Sequence, residues 1–280
     1  MSDPNNTYKP YGAAEQLFRT HDREVLMVGP AGTGKTRAVL EKLYLAAMRH
    51  RDVRILLARG TRASLTESVL VTLEQKVLPI GSGLHTGTSR QSRSRYILDN
   101  GSELVVLGLD NVNRIMSAEF DIAAVFEATE VQEDDWEKID TRLRNGRLGY
   151  HQLIADCNPG APSHWLRRRA DAGKMRELFS VHADNPACSA EYLASLQKLT
   201  GHRKARLFEG RWAAPEGLVY PQLMGAVIDP LPEIPYGRFI GSVDFGWNDP
   251  FCALGAVYLE ETDRIYVFYE RYIRKTSLAV

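Results

Sequence analysis

Residues 29–36 read Gly29-Pro30-Ala31-Gly32-Thr33-Gly34-Lys35-Thr36. Before them runs the apolar segment Arg23 to Val28. After them comes Lys35 to His50, where Ala38, Val39, Leu43, Ala46 and Ala47 recur at helical spacing. Strand, glycine-rich turn and helix, in that order, are the context that the phosphate-binding loop G-x-x-x-x-G-K-[ST] requires, and every fixed position is filled. The glycines let backbone N–H groups turn inward onto phosphate oxygens, and the helix N-terminus adds partial positive charge. The pattern predicts that residues 29–36 cradle ATP, that Lys35 reaches the β and γ phosphates, and that the Thr36 hydroxyl holds Mg2+.

Working outward, Val53 to Ala58 predicts a second strand and Ala63 to Val77 a second helix ending before Pro79. Gly81 to Arg95 is rich in Gly, Ser, Thr and Arg without a period, and reads as a mobile surface loop. Tyr96 to Leu98 and Leu104 to Leu107 flank Asn100-Gly101, a hairpin signal. Ile122 to Phe126 and Gln152 to Ala155 read as strands, with a helix over Asp134 to Leu143 between them. Strands separated by helices predict an α/β fold with a mostly parallel sheet covered on both faces. Trp165 to Ala172 and Ala190 to Arg211 read as a helical lid, with Leu178 to Val181 as the one strand candidate between them. Pro215, Pro221, Pro230, Pro232 and Pro235 mark a linker. Phe239 to Phe245, Cys252 to Leu259 and Ile265 to Tyr272 then predict an antiparallel meander. The boundaries expected are 1–214, 215–236 and 237–280.

Composition narrows the class. At roughly 150 residues per domain the chain makes about 1.9 domains. With 44% apolar and 25% charged residues it is neither largely disordered nor fibrous. Lys and Arg number 35 against 35 Asp and Glu, so passive coating of nucleic acid is excluded and any DNA contact is local or driven. No apolar run approaches the roughly 18 residues of a membrane-spanning helix, and no membrane partner is expected. The first twelve residues lack the basic-then-apolar pattern of a signal peptide. Cys157, Cys188 and Cys252 are odd in number and widely spaced, which suits a reducing cytoplasm.

Hydrolysis at such a loop needs a group that orients water. Glu127, at the end of Ile122 to Phe126, is the candidate, with Glu130 as the alternative and otherwise a cap for the following helix. The usual strand ends in Asp then Glu, the Asp supporting Mg2+ through water; here Phe126 takes the Asp place.

Six stretches in fixed order then give the chain a resemblance to the large terminase subunit of tailed bacteriophages, the motor that packages DNA. They are Gly29 to Thr36, Val125 to Glu130, Asn158 to Trp165, Asp184 to Pro186, Glu209 to Trp212 and Val243 to Gly246. The resemblance implies a P-loop ATPase with a lid, followed by the first strands of an RNase H-like nuclease, truncated here. It implies that Asn158 senses the γ-phosphate; a plain turn is the other reading of Asn158-Pro159. It places Gln16 near the base-reading glutamine, with Tyr8 or Tyr11 stacking on adenine; the alternative is an ordinary surface glutamine. It implies an arginine acting across a subunit boundary, since the loop itself holds none. Arg114 is the first choice, with Arg59, Arg142 and Arg144 as alternatives.

The resemblance also makes Asp244 the first ligand of a two-metal nuclease using Mg2+ or Mn2+, and a lone matched carboxylate predicts that this chain does not cut DNA. The implied partners are double-stranded DNA, the portal of a procapsid, a small terminase subunit and further copies in a homo-oligomeric ring, in the host cytoplasm. Two clusters, Arg90, Arg93 and Arg95, and Arg167 to Arg169, are candidates for DNA phosphates and otherwise solvated faces. Two rival functions remain open: another translocase or helicase, and a non-catalytic nucleotide-binding scaffold that docks to the capsid.

Overall fold

The computed structural model describes residues 8–79, 84, 88–110, 115, 117–214, 226, 228, 233, 236–245 and 251–273. The chain divides into two compact units, Met1–Pro221 and Gln222–Val280.

The first unit is built on seven strands: β1 (Glu24–Val28), β2 (Arg54–Arg59), β3 (Arg95–Ile97), β4 (Glu103–Gly108), β5 (Ile122–Phe126), β6 (Gln152–Cys157) and β7 (Arg176–Phe179). Their order in the sheet is β3-β4-β2-β5-β6-β1-β7. All neighbours are parallel except β3, which returns antiparallel on β4 through the predicted hairpin. β1, β5 and β6 are buried at every residue, as parallel strands with helices on both faces must be.

On one face pack α1 (Ala13–Arg19), α2 (Lys35–Arg49), α3 (Arg62–Glu67) and α4 (Val69–Thr72). On the other pack α5 (Glu133–Asp140) and α6 (Trp165–Asp171), whose Trp136 and Trp165 rings lie 5.5 Å apart. β6 lies between β1 and β5, so the carboxyl ends of three strands converge beside the phosphate-loop sequence.

The helix expected over Ala63 to Val77 is broken. α3 and α4 are separated at Ser68 and followed by a π-turn over Leu73–Val77. The cause is local: Thr66, Ser68 and Thr72 turn their hydroxyls back onto the carbonyls of Arg62, Ser64 and Ser68, at 3.0, 2.7 and 3.2 Å. The expected helix Ala190 to Arg211 is likewise two, α7 (Ala190–Gln197) and α8 (Gly201–Leu207), with Ser189 capping the first through the N–H of Tyr192. The strand candidate near Leu178 is real, but it joins the sheet edge beside β1 instead of interrupting the lid.

In the segment read as a mobile loop, Arg90 and Arg93 are both bound to Glu74, and Arg95 belongs to β3 and meets Glu103. The rest of that segment lies mostly outside the described residues.

The second unit contains β8 (Arg238–Asp244), β9 (Phe251–Leu259) and β10 (Arg264–Ile273), an antiparallel sheet in the order β10-β9-β8.

Candidate functional site

Backbone conformation builds the loop. Gly32 and Gly34 adopt φ of 80° and 84°, the left-handed region that a side chain resists, and Gly34 caps the start of α2. Lys35 is buried, and its Nζ donates to the carbonyls of Gly29 (3.1 Å) and Pro30 (2.7 Å) and to Asn158 Oδ1 (3.0 Å). Burial lowers its pKa; the carboxylates of Asp156 and Glu127 act the other way.

The next residue makes a contact that sequence reading missed. Thr36 Oγ1 donates to Asp156 Oδ2 at 2.6 Å. Asp156 lies near the end of β6, directly opposite Phe126 on β5. Its carboxyl is deeply buried, and burial raises its pKa against the pull of Lys35, the Thr36 hydroxyl and Arg59. The signal in the sequence was an acid at the end of a buried apolar run; that β6 adjoins β1 was not visible there.

Glu127 follows β5 in the left-handed region, at φ 49°, a costly conformation for a residue with a side chain. Burial is the first cause raising its carboxyl pKa and Asp156 the second, with Arg59 and Lys35 opposing. It lines a cleft of about 460 Å³ together with Asn158, His164, His202, Arg203 and Arg206. Glu130 is engaged elsewhere: Arg59 holds it by two bonds of 2.9 and 3.1 Å and also donates to Ser68 Oγ. Glu130 is therefore not the helix cap expected of it.

The lid and the turn that precedes it, His182 to Asn185, hold the loop. Ala31 N–H donates to the Leu207 carbonyl, Asn185 Nδ2 to the Gly32 carbonyl, and His182 Nε2 lies 3.1 Å from the Ala31 carbonyl.

The segment carrying Tyr8, Tyr11 and Gln16 is tied to the turn beside the loop, where Ala13 N–H donates to Asp184 Oδ2 at 3.3 Å. Gln16 is exposed on α1. Tyr8 stacks on Phe18 with the Arg37 guanidinium over its ring, and Tyr11 is exposed with Lys9 over its ring. Arg114 lies outside the described residues. Arg144 pairs with Glu119 and Arg142 donates to Thr141.

Arg169 is no solvated DNA contact: it binds both oxygens of Glu24 at 2.7 Å and reaches Glu133 and Glu137. Arg167 pairs with Asp171 and Glu177.

Asp244 ends β8, opposite Cys252 at the start of β9. The carboxylates of the turn after Leu259 sit at the far end of β9, about seven residues or roughly 23 Å away. Among the described residues no three His, Cys, Asp or Glu side chains are grouped for a metal ion. Asp244 thus has no partners for a two-metal site among them.

A phosphate loop on a mostly parallel sheet, with Asp156 buried on β6 and Glu127 half-buried just after the adjacent β5, defines a P-loop NTPase. The family model described as phage terminase large subunit matches residues 21–199. The chain belongs to that family, the motor ATPases of phage DNA packaging.

The large terminase of a thermophilic bacteriophage shares 17% identity over 94% of this chain and 68% of its own, with a TM-score of 0.62. The same protein in complex with ATP-gamma-S superposes with a TM-score of 0.59, at 17% identity and the same coverage. The large terminase ATPase domain of Thermus phage P74-26 gives 0.54 at 12% identity, over 74% of this chain and 95% of that one. The bacteriophage HK97 large terminase gives 0.52 at 13% identity, over 89% and 59%. No curated protein sequence matches the chain.

Proposed function

We propose that this chain binds ATP with Mg2+ at residues 29–36, hydrolyses it with Glu127 as the water-orienting base, and spends each cycle moving double-stranded DNA into a procapsid. The observation that carries this reading is the convergence on Lys35: its ammonium meets Asn158 at 3.0 Å, and Asn158 and Glu127 line one cleft. Loop, acid and amide come from three adjacent strands.

Lys35 offsets charge on the transferring phosphoryl group, where a fixed cation in a dry site acts most strongly. Glu127 aligns water and accepts its proton. Its raised pKa makes it a stronger base than an exposed carboxylate. Thr36 Oγ1, with the Asp156 carboxyl behind it at 2.6 Å, makes an oxygen-only site backed by an acid, which suits a hard cation that keeps most of its shell for phosphate and water. When bound, Mg2+ neutralises the β and γ oxygens.

Asn158 responds to the occupant because it shares Lys35 with the loop carbonyls. Phosphate oxygens that draw Lys35 away release Asn158. Its strand end leads to Gly160, whose carbonyl accepts from Ala213 N–H, and to His164, stacked on Trp212. That is a covalent and hydrogen-bonded route from the phosphate to the end of the lid.

The remaining assignments follow family membership. They are a homo-oligomeric ring at the portal, a small terminase subunit, action in the host cytoplasm, and Arg114 acting in trans. Gln16 as the base reader and Asp244 as a nuclease ligand rest on the same footing, and Asp244 alone supports no cleavage step. The test measures ATPase activity and DNase-protected DNA with procapsids, for the wild type and Lys35→Ala. Loss of both in the variant is expected. A wild type that binds ATP without turning it over would mark a scaffold instead, and near-normal turnover in Lys35→Ala would refute the site.

A further inference from the structure

We infer that the acid supporting the nucleotide's divalent cation has moved from the end of β5 to β6, and that Asp156 holds this post in place of the residue at Phe126. The inference rests on the reading that residues 29–36 bind a nucleotide with Mg2+.

The geometry starts from sheet order. β6 lies directly beside β1, whereas β5 is one strand further out. Phe126 and Asp156 are cross-strand partners on the face that carries α2. Phe126 is fully buried there as a core residue. An acid at position 126 would stand about one strand spacing, roughly 4.8 Å, further from β1 than Asp156 does. From β6 the contact is direct, Thr36 Oγ1 to Asp156 Oδ2 at 2.6 Å.

Strand alternation adds a second rung. Asp156 and Asn158 are two residues apart. Consecutive residues of α2 grip them, Thr36 on Asp156 and Lys35 on Asn158. The cation post near the end of β6 and the phosphate sensor just beyond it are therefore separated only by Cys157.

Charge points the same way. Three carboxyl groups, Asp156, Glu127 and Glu130, stand around this centre, and Lys35 and Arg59 are cations beside them. Arg59 is committed to Glu130, and Lys35 to the loop carbonyls and Asn158. A buried carboxylate without full compensation is costly unless a cation completes the site. A purely structural Asp156 would need only to accept one hydroxyl proton, a task that asparagine performs equally well.

Asp156→Asn separates the two roles. The probe is a fluorescent ADP analogue, titrated in EDTA and then against increasing Mg2+. In the wild type, Mg2+ should tighten binding. In Asp156→Asn the affinity in EDTA should stay within a few-fold of the wild type, while the Mg2+ concentration for half-maximal tightening rises about 10- to 100-fold, the usual loss when a second-sphere partner of a metal is removed. An unchanged Mg2+ midpoint would overturn the inference and leave the nucleotide site standing. No binding by the wild type in either buffer would instead overturn the nucleotide reading itself. A second measurement needs no variant: electron-nuclear double resonance on the wild-type Mn2+–ADP complex, with aspartate carboxyls labelled by 13C. A coupling to an aspartate carboxyl is expected, and its absence would overturn the assignment.

Discussion

Replacing Asn158 by alanine removes one acceptor from the buried Lys35 ammonium. Asn158 Oδ1 lies 3.0 Å from Nζ, and the acceptors left behind are the carbonyls of Gly29 at 3.1 Å and Pro30 at 2.7 Å, with Thr33 Oγ1 further off at 3.4 Å. A hydrogen bond to a charged group contributes about 1.5–3 kcal/mol, and the two surviving carbonyls put this case at the low end, about 1.5 kcal/mol. For a domain of this size each kcal/mol moves Tm by about 2–4 °C, so Asn158→Ala should melt about 3–6 °C below the wild type. Asn158→Asp should behave differently. Its carboxylate holds the ammonium more tightly and sets a new negative charge where phosphate must approach, so ATP affinity falls while Tm stays close to that of the wild type. Differential scanning calorimetry and an ATP titration on the three proteins read both effects. Two variants that melt within about 1 °C of the wild type and bind ATP as it does would refute the claim that Asn158 governs Lys35.

Arg169→Ala strips Glu24, itself nearly buried, of its guanidinium partner; a loss of about 3–5 kcal/mol is expected, read by urea unfolding, and a loss under about 1 kcal/mol would contradict the buried pair. Glu127→Gln tests the raised carboxyl. The ionised form is disfavoured in the folded protein, so wild-type stability is fullest below the ordinary value of 4.5 and declines as pH rises through the folded pKa. The variant should therefore melt above the wild type at neutral pH, with the gap closing as pH falls towards 4.5; a constant gap would contradict the shift. Mixing Arg114→Ala with Lys35→Ala subunits should restore part of the ATPase activity if the arginine acts across a subunit boundary. No recovery from assembling subunits would argue against that role.

The loop and its flanking elements were legible because they are local. Glycine spacing, an apolar run and a helical period all lie within about thirty residues of each other. The order β1-β6-β5 was not, since strand adjacency is set by packing across more than a hundred residues. Phe126 consequently read as a missing acid, although Asp156 stood in register beside it. The break at Ser68 escaped the periodicity of Ala63 to Val77 because apolar spacing says nothing of hydroxyls that bond back to the helix. The arginine clusters were misread for a related reason: Arg90, Arg93 and Arg169 look solvated in sequence, while Glu74 and Glu24 reach them from distant segments.

The central claim, that Glu127 is the base of an ATP-hydrolysing site built on Lys35, is tested most directly by single-turnover ATP hydrolysis in Glu127→Gln and Glu130→Gln measured side by side. Glu127→Gln should bind ATP and hydrolyse it about 10²–10⁴-fold more slowly, the range lost with a general base. Glu130→Gln, which breaks only the clasp on Arg59, should stay within several-fold of the wild type. Normal hydrolysis by Glu127→Gln together with a dead Glu130→Gln would contradict the account.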